Sequence, residues 1–292
     1  MQLGGHQTFH LREGWIYKGL STLSKNQDAF QDPNIGEHLG VGKNMVDSIR
    51  YWLRACALVD KKDGKKLRKI ARTILEKDPF IELDGSLILL HYLLATNEDK
   101  ATAWYWFFNK FGATEFDTES LAIYLQSFIT NQYKKKPREQ TIKREVACLL
   151  NCYNKPEYKI RETPETENPS PFVRFNVITK IGDKYRKNGL NPALVDPLVF
   201  CHLLHSFWDD HMGKPTTMSF EEVSKGSNSP GLVLGFTEDQ SAQMLDRISK
   251  EFSGKYLEFH RTGGYFTVEL FSKNSRNALR EYYKKHKNLL EK

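Results

Sequence analysis

Two glycines one residue apart, Gly40 and Gly42, separate two short helical patterns. That punctuation restricts the first third of the chain more than any other feature. Upstream, Asp32-Pro33 has the form of a helix start, with Asp as N-cap and Pro at the first helical position, so a helix is expected over Pro33–Leu39. Downstream, Val46, Ile49, Leu53 and Ala57 recur at the spacing of one buried face, which predicts a helix over Lys43–Ala57. Two helices joined by a glycine turn of this length are the helix-turn-helix signature. A basic segment follows at once, centred on Asp63-Gly64. Both central positions of a type I′ turn need positive φ, so this pair predicts a β-hairpin in the place of a wing. With an aromatic-rich helix over Phe9–Leu23 in front and a short one over Ile70–Leu75 behind, a first domain is expected over residues 1–80.

A helical middle domain is expected over 81–155. Ser86–Thr96 and Lys100–Phe111 read as apolar helices, the second carrying Trp104-Tyr105-Trp106-Phe107-Phe108 and therefore buried on all sides. Helices over Glu119–Phe128 and Arg138–Tyr153 follow, on either side of Lys134-Lys135-Lys136. They read equally as a second DNA-facing pair and as packing helices with a solvated loop. Residues 156–171, with Pro156, Pro164, Pro169 and Pro171, read as a linker or long loop. In the last segment, 172–292, Pro197–Trp208 reads as a helix, Ser219 is an N-cap with Glu222 three residues on, and Thr237 with Gln240 caps an amphipathic helix to Phe252. Strands are expected over Tyr256–Phe259 and Tyr265–Phe271, across Thr262-Gly263-Gly264. This repeats the order of the first domain. The fold expected is mainly α, with winged-helix modules at both ends around a helical middle.

No apolar run reaches the ~18 residues of a membrane span, and the start of the chain lacks the basic and apolar regions of a signal peptide. Cys56, Cys148, Cys152 and Cys201 sit in apolar helical stretches, as reduced cysteines of a cytoplasmic protein would. Cys148 and Cys152 have no further Cys or His nearby to complete a zinc set. The net charge of +7 is unevenly spread. Residues 43–72 hold ten Lys/Arg against three Asp/Glu, 134–144 six against one, and 273–292 seven against two. The remainder is acidic. Such segregation is the mark of a polyanion-binding surface.

The helix from Lys43 offers two polar stripes away from its apolar face, one with Lys43, Asp47, Arg50 and Arg54, the other with Asn44, Ser48 and Tyr51. Amide, hydroxyl and guanidinium groups suit base edges, and cations suit phosphates. The expected DNA contacts are Lys43, Asn44, Ser48, Arg50 and Arg54, with Lys65, Lys66 and Arg68 of the wing on the flanking backbone. A second polar cluster, His6, His10, Arg12 and Glu13, matches no defined ligand motif and reads first as structural polar contacts; for a chain that nicks DNA, His6 and Glu13 as metal ligand or base and Arg12 as phosphate clamp are the candidate catalytic set. His202, His205, Asp209, Asp210 and His211 also cluster, and read as the polar end of a helix. No P-loop, Rossmann fingerprint or nucleophile elbow is present, so no nucleotide cofactor is expected.

Several segments resemble a bacterial domain-of-unknown-function family. They are Gly5–Trp15 (GHQTFHLREGW), Leu39–Val46 (LGVGKNMV), Leu90–Asn97, Ala101–Phe111 and Asn228-Ser229-Pro230-Gly231. Members of that family, the SspB-type components, are encoded beside sulfurtransferase-like genes in DNA phosphorothioation and phage-defence operons. The resemblance implies a double-stranded DNA-binding protein that can nick one strand, using Mg²⁺ or Mn²⁺, so that sulfur replaces a non-bridging phosphate oxygen. It also implies sulfurtransferase-like and ATPase partners, and a carboxylate where this chain has Ala147. Two other functions fit the same residues: a non-catalytic winged-helix transcription regulator, and an assembly scaffold whose basic patches meet acidic partners.

Overall fold

A computed structural model of the chain describes residues 1–154, 169–210, 216–271 and 275–290. Its residues fall into two compact units, one of residues 1–81 and 93–188, the other of residues 82–92 and 189–292.

The first unit begins with three helices, α1 (Trp15–Lys25), α2 (Ile35–Leu39) and α3 (Lys43–Ala55). Helix α2 starts two residues later than Asp32-Pro33 suggested, because the Asp32 carboxylate accepts the Asn34 N–H at 2.8 Å and holds a turn there. Gly40 then ends α2 in the left-handed region at φ +63°, with the Val41 N–H returning to the Gly36 carbonyl. Val46, Ile49 and Leu53 are buried, as the periodicity required. Gly19 of α1 lies so close to α3 that a Cβ there would stand 2.7 Å from Leu53.

The expected wing takes another form. Val59 and Leu67 make one isolated β-bridge, and the residues between them form a turn-rich loop without strands. The Asp63 carboxylate accepts the Lys65 and Lys66 N–H groups, at 2.8 and 3.1 Å, so this side chain closes the loop locally and no ladder follows. Helix α4 (Lys69–Lys77) comes next, then α5 (Asp84–Ala95), whose residues to Tyr92 belong to the second unit.

Helix α6 (Thr102–Asn109) is buried from Thr102 to Phe108, as its aromatic run predicted. After it come β1 (Glu115–Phe116), α7 (Thr118–Tyr133), α8 (Glu139–Tyr153), β2 (Ile178–Ile181) and β3 (Lys184–Lys187). The strands form an antiparallel sheet in the order β1-β3-β2. This middle segment is therefore not purely helical. Its strands are short and half polar, and the sequence signalled them only by Gly182 at their turn. Lys187 ties β3 to α6: its Nζ donates to the Phe107 and Phe111 carbonyls at 2.6 and 2.9 Å.

The chain leaves the first unit at residue 81, next to the boundary expected at 80, but it returns at residue 93, and the two stretches share one packed core. Trp52 of α3 meets Trp104 of α6 edge-on at 5.3 Å, and Asn97 donates to the Arg54 and Ala55 carbonyls that end α3. Most of the linker expected over 156–171 lies outside the described residues. Its last part is ordered by packing, with Ser170 capping a short 3-10 turn and Phe172 stacked on Tyr153 at 5.3 Å.

The second unit adds α9 (Pro197–Asp210), β4 (Thr217–Ser219), α10 (Phe220–Lys225), α11 (Pro230–Val233), α12 (Glu238–Glu251), β5 (Leu257–Thr262), β6 (Tyr265–Leu270), α13 (Ser275–Lys285) and α14 (Lys287–Leu290). Ser219 and Thr237 cap their helices as expected, Thr237 in a reciprocal box with Gln240. The hairpin expected across Thr262-Gly263-Gly264 forms, with β5 running on through Thr262, so that Gly263 and Gly264, both at positive φ, are left as a two-residue turn. Strand β4 completes a sheet of order β4-β6-β5. Each unit thus carries a helix, a strand, further helices and a hairpin, with the first strand paired to the last. Residues 82–92 join this unit through Gly85, whose N–H donates to the Tyr282 hydroxyl at 2.9 Å, and through Ser86 and Tyr283. A Cβ at Gly85 would overlap the Tyr282 ring.

Two buried histidines of this unit bear on acid stability. Burial pushes His91 and His205 down to about 4, while the unfolded side chain titrates near 6.5. The unfolded chain therefore binds more protons between those values, and stability held above pH 6.5 is lost as the pH falls towards 4. For His91 the full effect is at most about 3 kcal/mol. Urea unfolding at pH 7.5 and pH 5 should show a lower midpoint at pH 5, and His91→Gln should flatten that dependence. An equal pH dependence in wild type and variant would remove His91 as the cause.

Candidate nucleic-acid interface

Helix α8 has two unlike faces. Ile142, Glu145, Val146, Leu149 and Cys152 are buried, whereas Gln140, Lys143, Arg144, Ala147 and Asn151 are exposed. Leading into it, Lys134, Lys135, Lys136 and Arg138 are all exposed. Lys134 ends α7 in the left-handed region at φ +54°, so the basic connector turns away from the α7 axis before α8 begins. The β2–β3 hairpin adds exposed Lys180, Lys184 and Arg186, the last bound to Glu115 at 2.7 Å.

The inner face of α8 is held by unusual means. Glu145 is 1% exposed and meets His6, itself fully buried, at 3.1 Å between Oε1 and Nε2. The Gly4 N–H also donates to this carboxylate. His6 Nδ1 accepts the Thr8 N–H at 3.1 Å, so the ring proton sits on Nε2 and points at Glu145. Tyr51 and Trp104 close over the imidazole edge-on, at 5.7 and 6.1 Å. Burial beside the Glu145 charge raises the Tyr51 phenol well above its ordinary value. The same N-terminal segment accepts Ser48 Oγ at the His6 carbonyl, and Trp52 Nε1 and Cys148 Sγ at the Phe9 carbonyl. All four cysteines are buried and free.

These contacts rearrange the sites expected from sequence. Ser48 and Tyr51 are buried under the N-terminal segment, so Ser48 is not a DNA contact, although it shares a stripe with exposed Asn44. Lys43 is exposed, and Arg50 is half-exposed with its guanidinium 3.6 Å from Asp47. Arg54 packs against Gly64, and burial together with Arg50 lowers its guanidinium. Lys65 pairs with Asp28 at 2.6 Å, Arg68 donates to the Ala57 carbonyl at 2.8 Å, and Lys66 is exposed. The catalytic set does not assemble. His6 is spent on Glu145, Arg12 lies over the Phe9 and Trp15 rings at 5.2 and 5.3 Å, and Glu13 is exposed. Glu145 went unnoticed because its partner is 139 residues away and nothing local marks it. Its place on the apolar stripe of α8 was the available signal.

The family described as "Protein of unknown function (DUF4007)" matches residues 3–283. The chain belongs to the DUF4007 family. No curated protein matches it. Among solved structures, this DUF4007 chain shares its fold with SspB, at 22% identity and a TM-score of 0.85, over 97% of this chain and 88% of that one. It is similar also to magnesium ion-bound SspB, at 21% identity and a TM-score of 0.83 over the same shares. Among the described residues, no three His, Cys, Asp or Glu side chains gather in a way that could hold a metal ion. Among the described residues, no helix is long and apolar enough to cross a membrane.

Removing one partner of a buried hydrogen bond to a carboxylate leaves the other unsatisfied, at a cost of about 1–3 kcal/mol and more where the group left behind is charged. Glu145→Ala and His6→Ala should each lower the unfolding free energy by about 3 kcal/mol, whereas Glu13→Gln should change it by less than about 0.5 kcal/mol. Chemical denaturation decides this; a Glu13→Gln loss equal to the other two would contradict the assigned burial.

Proposed function

We propose that this chain is a duplex-DNA-binding component of a phosphorothioation-type DNA modification and defence system. The observation that carries the reading is the exposed basic face formed by Lys134–Lys136, Arg138, Lys143 and Arg144 at the start of α8. Six cations against one carboxylate within eleven residues exceed what a solvated connector needs. The order α6-β1-α7-α8-β2-β3, with the sheet β1-β3-β2, supports reading this segment as a winged helix with α8 in the groove-facing position and the β2–β3 hairpin as wing. The glycine-linked pair α2–α3, with exposed Lys43, Asn44 and Lys66, supports a second contact from the same unit. The fold shared with SspB supports the phosphorothioation setting.

The same order in the second unit, α9-β4-α10-α11-α12-β5-β6, supports a further winged helix there, but one unsuited to DNA. Helix α12 carries Glu238, Asp239, Asp246 and Glu251 against Arg247 and Lys250, which a phosphate backbone would repel. This module fits a protein contact. With His6 committed to Glu145, the N-terminal cluster has no free imidazole to serve as base or ligand.

For every cation withdrawn from a phosphate, the slope of log affinity against log salt falls by about 0.9. Replacing Lys134, Lys135 and Lys136 together by Ala should weaken duplex binding and flatten the slope by up to about 2.7. Lys43→Ala with Arg50→Ala should flatten it by up to about 1.8 if α3 also grips phosphates. A wild-type chain that fails to bind any duplex at low salt would overturn the proposal. An unchanged slope in the first variant would move the interface off α8.

A further inference from the structure

The basic residues around α8 account for affinity, but four exposed positions along the helix have a different chemistry. Gln140, Arg144, Ala147 and Asn151 follow one another at intervals of four, three and four residues, which places them on a single stripe. All four are exposed. Among the described residues, the side chains of Gln140, Arg144 and Asn151 make no hydrogen bond or ion pair, unlike neighbouring Lys143, which is bound to Glu139 at 2.5 Å. Two amides and a guanidinium on one exposed stripe are free to meet the donors and acceptors of an external partner.

We infer that this stripe reads base edges in the DNA major groove, and so sets which duplex sequence the chain prefers. The inference rests on the duplex-binding reading above. In the major groove, Gln and Asn side chains pair bidentately with the N6 and N7 atoms of adenine, Arg pairs with O6 and N7 of guanine, and the methyl group of Ala packs on the methyl of thymine. From Gln140 to Asn151 the helix rises about 16 Å, enough to face four or five base pairs at about 3.4 Å each. Ala147, at the middle of the stripe, has no side chain long enough to keep the helix off the groove floor.

Reading bases also requires a rigid helix, because a bidentate pair tolerates little displacement. Helix α8 meets this on its opposite face. Glu145 is fixed to His6, and Cys148 Sγ donates to the Phe9 carbonyl at 3.4 Å. The corresponding helix of the second unit supplies a contrast within the same chain. On α12 three of the four carboxylates are paired: Glu251 with Arg247 at 3.4 Å, Asp246 with Arg261 at 2.6 Å, and Glu238 with Lys225.

The test is selection from a library of random duplexes with the full chain and its variants, followed by sequencing of the bound pool. The wild type should enrich a short motif containing adenine and guanine within a five-base-pair window. Gln140→Ala and Asn151→Ala should each remove the preference at one adenine, and Arg144→Ala the preference at the guanine, with enrichment there falling about tenfold or more. Melting temperature should stay unchanged in all three, and the salt slope unchanged in the two amide variants, since neither removes a charge. If the same motif survives all three substitutions, or the wild type binds random duplex without enriching any motif, the inference fails and the duplex-binding reading stands. If the wild type binds no duplex at low salt, both fail.

Discussion

The carboxylate of Glu145 is the group on which the first unit turns. A charge in an apolar core is tolerated only when its oxygens are occupied, and here the occupants come from the far end of the sequence: His6 Nε2 and the Gly4 N–H. Satisfying Glu145 therefore requires the N-terminal segment to lie across α3 and α8. Once there, the segment meets Ser48, Trp52 and Cys148 with its own carbonyls. One buried polar requirement thus fixes three separate stretches of chain. It also explains why the chain, having left the first unit at residue 81, packs against residues 1–81 again from residue 93, since α3 and α6 share the cluster of Tyr51, Trp52, Trp104 and His6, which Glu145 of α8 holds in place.

That arrangement separates structural from functional polarity in a way side-chain type alone cannot. His6, Arg12 and Glu13 have the chemistry of an active site, yet two of them are engaged in packing and the third is in solvent. Gln140, Arg144 and Asn151 are inconspicuous as sequence, yet they lie on one exposed stripe of α8 and make no hydrogen bond or ion pair with other described residues. The function proposed follows this division, with polar groups consumed inside the unit and cations and amides presented outside it.

The two units reuse one element order with opposite surface charge. In both, a short strand ahead of further helices, two in the first unit and three in the second, pairs with the last strand of a hairpin. Around α8 the exposed charge is basic and largely uncompensated, while on α12 it is acidic and mostly paired. A fold of this kind fixes where a helix and a hairpin stand, and leaves the choice of partner to the residues on them.

Much of this was legible in the sequence, where the governing physics is local. Thr237 with Gln240, the glycine turn between α2 and α3, and the hairpin at Gly263-Gly264 each act over three or four residues and took the form expected, while Ser219 caps α10 by accepting the Glu222 N–H alone, in place of the reciprocal box its spacing suggested. The buried aromatic run of α6 and the positions of the basic segments were equally fixed by composition. Local reading failed where a side chain had two local options, as at Asp63, whose carboxylate closes a turn in place of a hairpin. It failed again where partners are distant. Strand β1 pairs with residues about seventy positions later, and Ser48 is buried by a segment forty-two positions earlier. Amphipathic spacing tells that a helix has an apolar face, and says nothing of what covers its polar one. Sequence determined which elements form and where the charge lies; only the tertiary structure decided which polar residues the core would consume, because that depends on which distant donor reaches each buried acceptor.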